Sequence, residues 1–126
     1  MKLTDDSGPG IKLVRAYRPG EIRVGDDILH RSCLLRADRV VDDWRPQTLN
    51  ELQVEDLEAI FALDPEVVVL GCGSRQKFPA QALLAKILSR GIGCEVMDTG
   101  AACRTYNVLV SEDRRAVAAL FLQDDP

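Results

Sequence analysis

Val67-Val68-Val69-Leu70-Gly71-Cys72-Gly73-Ser74, followed one helical stretch later by Ile92-Gly93-Cys94-Glu95-Val96-Met97-Asp98-Thr99, decides the fold. The first run is β-branched and continuously apolar, the pattern of a strand covered on both faces. It opens into a glycine-rich loop, Gly71 to Lys77. Pro79 suits the first turn of the next helix, because its missing N–H would have no partner there anyway. Leu83, Leu84, Ile87 and Leu88 recur as one apolar stripe, and Gly91 supplies the C-terminal cap. Ile92 to Met97 reads as the second strand. Strand, helix and strand of these lengths make a βαβ unit, so the two strands are expected parallel, with a right-handed crossover.

Working outward, Asp98 and Thr99 offer caps for a further helix from about Gly100, with Ala102, Tyr106, Leu109 and Val110 on one face. Glu112 to Arg115 is a polar turn, Val117 to Leu122 a final strand, and Asp124-Asp125-Pro126 is expected to end in solvent. Upstream, Thr48 is placed to cap a stretch with Leu49 and Leu52 on one face. From Val54 an amphipathic helix is predicted, with Leu57, Ile60 and Phe61 inward and Glu55, Asp56 and Glu58 outward. Asp64-Pro65 stops it.

The first part of the chain alternates apolar and polar residues with the period of half-buried strands. Strands are expected over Ile11–Tyr17, Glu21–Val24, Asp27–His30, Ser32–Arg36 and Arg39–Trp44, with Gly25-Asp26 as a two-residue hairpin turn. The fold class is therefore α/β, bordering on α+β: a β-rich N-terminal half feeding a βαβαβ unit, with helices on the parallel part. At 126 residues the chain is expected to be one domain, spanning residues 1–126. Residues 1–10 are read as flexible, 11–45 as the β-rich part, and 48–122 as the helix plus βαβαβ part.

Composition narrows the function classes. The net charge is −4 and the 16 basic residues are scattered, which disfavours nucleic-acid binding. Met1 to Gly10 has no apolar core of a secretory signal, and no apolar run is long enough to cross a bilayer, so a cytoplasmic protein without membrane insertion is expected. Cys33, Cys72, Cys94 and Cys103 include no CxxC pair and His30 is the single histidine, so no metal site is expected.

In open α/β sheets a ligand cleft lies beyond the C-terminal ends of the parallel strands. Those ends place Gly71, Gly73 and Ser74 beside Asp98, Thr99, Arg104, Thr105 and Asn107, the candidate ligand- or anion-binding residues. Free N–H groups at a helix start attract anions, and Arg104 would add a two-pronged contact. The competing reading is structural: Asp98 and Thr99 cap the helix, Arg104 pairs with Asp98, and Asn107 stitches a loop. Gly71-Cys72-Gly73 resembles the opening of a dinucleotide fingerprint, but Gln76 stands where the third glycine belongs, and no cofactor is assigned. Cys103 near a helix start and Cys72 in a loop lack a nearby histidine base, so all four cysteines are read as packed side chains and no catalytic residue is named. Trp44 is read as covering the edge of the core, or as an anchor for a partner.

Val67–Gly73 followed by Pro79, together with the long run Gly91–Glu112, resembles a widespread family of small domains that includes mitochondrial complex I assembly factor 3. The early strands and Trp44-Arg45-Pro46 also suit that family, whereas Cys72 departs from the small hydroxyl residue expected there. The resemblance implies a three-layer fold of mixed β-sheets with about three helices. It also implies a binding or assembly role exerted on other proteins, among them respiratory-complex subunits, with no catalytic residues attached. An uncovered edge strand in the first half would offer a homodimer surface.

Overall fold

The computed structural model describes residues 10–126, so the flexibility expected of residues 1–10 falls, Gly10 aside, outside the described residues. Eight strands and three α-helices follow in the order β1 (Val14–Arg18), β2 (Glu21–Val24), β3 (Asp27–Leu29), β4 (Cys33–Arg36), β5 (Arg39–Val41), α1 (Leu57–Phe61), β6 (Val67–Gly71), α2 (Gln81–Leu88), β7 (Gly93–Met97), α3 (Thr99–Ser111) and β8 (Ala116–Leu120). β1, β2 and β3 form an antiparallel three-stranded sheet, with Gly20 (φ 88°) and Gly25 (φ 60°) in its two turns. The other five strands form a mixed sheet in the order β5-β4-β8-β6-β7. Thus β4 and β5 leave the first sheet and extend the second, through antiparallel pairing of Cys33–Leu35 with Ala118–Leu120.

β6 lies between β7 and β8 and is parallel to both, in register Val67↔Gly93 and Val67↔Ala116. All five residues of β6 and all five of β8 are buried, as the continuous apolar runs require. α1 and α2 cover one face, where Leu57, Ile60, Leu63 and Ile87 pack on Val68, Leu70, Val117 and Phe121. α3 covers the other, where Ala102, Cys103 and Tyr106 pack on Val69, Ala118 and Leu120, with Val14, Ile22 and Val24 of the small sheet closing the same core. Each fully buried Leu, Ile or Val contributes roughly 1.5–3 kcal/mol.

Several boundaries differ from the sequence expectation, each for a visible reason. The first strand starts at Val14, because Lys12 donates its N–H to Ala37 and accepts from the Tyr106 hydroxyl. The fifth ends at Val41, because Trp44 turns into the core, stacks on Phe121 at 5.2 Å and donates its indole N–H to Asp56 C=O. The stretch expected after Thr48 forms only a 3₁₀ turn at Leu49–Glu51, and the helix expected from Val54 opens as a second 3₁₀ turn at Val54–Asp56 before α1, with Leu52 and Gln53 extended between them. Thr48 makes no side-chain cap there. Asp56 is buried, not outward: it accepts from Gln53 N–H and takes both prongs of Arg45, at 2.9 and 2.7 Å. Pro79 precedes α2 without entering it, Ala80 being the N-cap, and Leu88 is 55% exposed instead of buried. The last strand ends at Leu120, and the acidic residues after it are held against the protein.

Candidate functional site

The C-terminal ends of β6 and β7 face a crevice of the expected kind, since the chain leaves β6 toward α2 on one face and β7 toward α3 on the other. The protein fills much of that crevice with its own groups. Gly71 sits so close to α3 that an added Cβ would lie 3.0 Å from the Cα and Oγ1 of Thr99. Thr99 is fully buried: its hydroxyl accepts from Gly73 N–H at 2.9 Å and donates to Phe121 C=O at 2.7 Å, while its own N–H donates to Gly73 C=O. One side chain therefore ties the loop after β6, the start of α3 and the end of β8.

The remaining candidates do not share one cleft: Arg104 and Asn107 line one and Ser74 another, while Asp98 and Thr105 line neither of these. Asp98 caps α3 by accepting Ala101 N–H at 2.9 Å, and Gly100 lies under the Tyr17 ring, 3.1 Å from an added Cβ. Thr105 directs its hydroxyl to the Met97 sulfur. Asn107 spends both ends of its amide on Val14, accepting from the N–H at 2.9 Å and donating to the C=O at 2.8 Å. It stitches β1 to α3. Arg104 is exposed and, among the described residues, makes no salt bridge, so the expected pairing with Asp98 is not formed. It lines a cleft of about 240 Å³ with Arg15, Tyr17 and Cys103.

Ser74 belongs to the other cleft, about 370 Å³, lined also by Cys72, Arg75, Lys77, Asp124 and Asp125. Its N–H donates to Asp124 at 2.8 Å, and its hydroxyl donates to the same carboxylate. Lys77 forms an ion pair with Asp125. Gly73 (φ 115°) has the left-handed backbone that only glycine adopts easily, directly beneath Asp124. No sequence signal marked Asp124 and Asp125 as members of this cluster, because their partners lie about fifty and seventy-five positions away.

The thiols are not poised as nucleophiles. Burial pushes Cys33 and Cys103 up to about 12, and Arg104 offsets only part of the effect at Cys103. Burial likewise raises Cys94 to about 11 and, less strongly, Cys72. The proximity of Cys103 to a helix start thus loses to desolvation. His30 faces Glu21 across the hairpin at 3.4 Å. Among the described residues, no three His, Cys, Asp or Glu side chains gather as a metal site would require.

A family described as "Protein of unknown function (DUF498/DUF598)" matches residues 14–121. The chain belongs to that family. Among similar proteins, a Danio rerio protein named NADH dehydrogenase [ubiquinone] 1 alpha subcomplex assembly factor 3 is 33% identical over 86% of this chain and 63% of its own length. A Francisella tularensis protein named 13 kDa major membrane protein is 30% identical over 69% of this chain and 67% of its own. The NMR structure of a Xanthomonas campestris protein superposes with a TM-score of 0.83 at 40% identity, covering 97% of this chain and 92% of that one. The chain thus spans slightly less than two thirds of the assembly factor it matches. The DUF498/DUF598 relationship agrees with the resemblance carried by Val67–Gly73 and Gly91–Glu112, and the shared fold with the mixed α/β architecture.

Proposed function

We propose that this DUF498/DUF598 chain is a non-catalytic binding protein that assists assembly of a larger protein complex, by analogy with its relatives named for NADH dehydrogenase assembly. The observation that carries the reading is the internal use of the polar candidates: Thr99, Asn107 and Asp98 hold the fold together instead of facing a substrate. Raised thiol pKa values support it as well, since they leave no activated nucleophile. Trp44, buried on Phe121, is withdrawn as a partner anchor. Phe78 just before α2 and Leu88 at its end, 67% and 55% exposed, are among the exposed apolar residues that a partner would cover. The reading places the protein in the cytoplasm, working on other proteins, including subunits bound for a membrane complex. Among the described residues no helix is long and apolar enough to cross a membrane.

The test is reciprocal capture in the native host. Tagged chain should copurify with NADH:ubiquinone oxidoreductase subunits, and a tagged subunit should retain the chain. Capture in neither direction would remove the basis for an assembly role. A second reading, a small anion held beside Arg104, rests on that exposed guanidinium in a cleft shared with Arg15. Inorganic phosphate raising the thermal midpoint of the wild type but not of Arg104→Ala would establish it.

A further inference from the structure

After β8 the chain turns back across the C-terminal ends of the parallel strands, the place where an α/β sheet usually receives a ligand. Phe121 N–H donates to Gly71 C=O at 2.9 Å, and the Gln123 amide donates to His30 C=O at 3.1 Å. Leu122 is the last residue in the apolar core; Gln123, Asp124 and Pro126 are exposed. The segment is seated by carboxylates. Asp124 takes the N–H and hydroxyl of Ser74, while Asp125 takes the Asn50 N–H at 3.0 Å and the Lys77 ammonium. Gly73 makes room, since a Cβ there would stand 2.5 Å from Asp124 Oδ1.

Two amides, one hydroxyl and an ammonium thus converge on two consecutive carboxylates, each with donors of its own. Such a set matches an acidic peptide more closely than a single tetrahedral anion, which would engage one half of it. The seated carboxylates respond accordingly. Ser74 holds Asp124 below its usual value, with Arg75 adding to the effect. Burial works to raise Asp125, and the donors from Lys77 and Asn50 outweigh it.

We infer that the cleft bearing Ser74 and Lys77, with the adjoining Asn50 N–H, is a receptor for an acidic segment of a partner protein, and that Asp124 and Asp125 occupy it in cis as a removable strap. This deepens the binding function proposed above and rests on it. The contacts that hold the strap are polar and lie outside the apolar core, the Asp125 carboxylate alone being mostly covered, so a competing segment with adjacent carboxylates exchanges with it without disturbing the core. A strap seated 99% of the time lowers a competitor's apparent affinity about a hundredfold, and its removal restores that factor.

The test uses the full chain carrying Asp124→Ala and Asp125→Ala, titrated with a capped Gln-Asp-Asp-Pro peptide and followed by the backbone amide signals of Ser74 and Asn50. The variant should bind saturably, with both signals moving back toward their wild-type positions. Wild type should bind about a hundredfold more weakly, and a capped Gln-Asn-Asn-Pro peptide should not bind. Adding Lys77→Ala should weaken the interaction. If the double variant fails to fold, Asp124→Ala alone, which keeps the Lys77–Asp125 pair, serves in the same titration. A folded variant that ignores the acidic peptide overturns the proposal. So does one that binds inorganic phosphate at these amides and not the peptide. Failure here with reciprocal capture intact would discard the strap and leave the assembly role standing.

Discussion

Replacing Thr99 with Val keeps the shape of the side chain and removes the hydroxyl. In the native protein that hydroxyl serves two buried backbone groups, Gly73 N–H at 2.9 Å and Phe121 C=O at 2.7 Å, and Thr99 itself has no exposed surface. The substituted methyl satisfies neither. A buried polar group left without a partner costs about 1–3 kcal/mol, so the pair predicts a loss of about 2–6 kcal/mol, less the small gain from an added methyl. Urea unfolding followed by circular dichroism measures it. The midpoint should fall with an unchanged slope, because the native surface is unaltered. Thr105→Val is the internal control: its hydroxyl reaches only the Met97 sulfur, at 3.3 Å, and its loss should stay within about 0.5 kcal/mol. If Thr99→Val costs less than about 1 kcal/mol, the hydroxyl is not the tie between loop, helix and strand, and Thr99 returns to the list of ligand-facing residues.

Asn107→Ala should cost about 1–3 kcal/mol through loss of both bonds to Val14. Arg104→Ala should cost no more than about 0.5 kcal/mol in the same urea unfolding, and equal losses would contradict the division between stitching and exposed residues. Asp56 is held below the ordinary carboxylate range chiefly by hydrogen bonds from Arg45, with burial opposing and the Gln53 amide assisting. Because its folded value is depressed, its contribution is complete above the unfolded value near ~4 and is lost as the pH falls through the folded one. Asp56→Asn should therefore destabilise at neutral pH and flatten part of the acid limb of a stability–pH curve; an unchanged limb would show that the Arg45 fork contributes nothing. With Cys33 and Cys103 at about 12 and Cys94 at about 11, thiol labelling of the native protein at pH 8 should be slow and should accelerate in urea in step with unfolding. Rapid native labelling of Cys103 would revive it as a nucleophile.

The parallel core was legible because its signals are local and repeated. Val67–Leu70 is apolar without a break, Gly25-Asp26 forces a hairpin, and Asp98 stands where a helix needs a cap. What the sequence withheld depends on partners far along the chain. Asp56 looks like a solvated helix acid until Arg45 is seen to bind it. Leu88 fits an apolar stripe by period, yet α2 buries only Ile87 fully, half-buries Leu83 and Leu84, and leaves Leu88 exposed at its end. The use of the candidate residues was not legible. Arg104 and Asn107 line one cleft and Ser74 another, and Thr99 and Asn107 are turned inward by backbone groups from Gly73, Phe121 and Val14 that no spacing rule reveals.

Deletion of the gene in the native host, with NADH:ubiquinone oxidoreductase measured in isolated membranes by native gel and by NADH-linked quinone reduction, bears most directly on the assembly role. That role predicts less intact complex and proportionally less activity, both restored by the wild-type chain. Normal complex levels and activity in the deletion strain would contradict it.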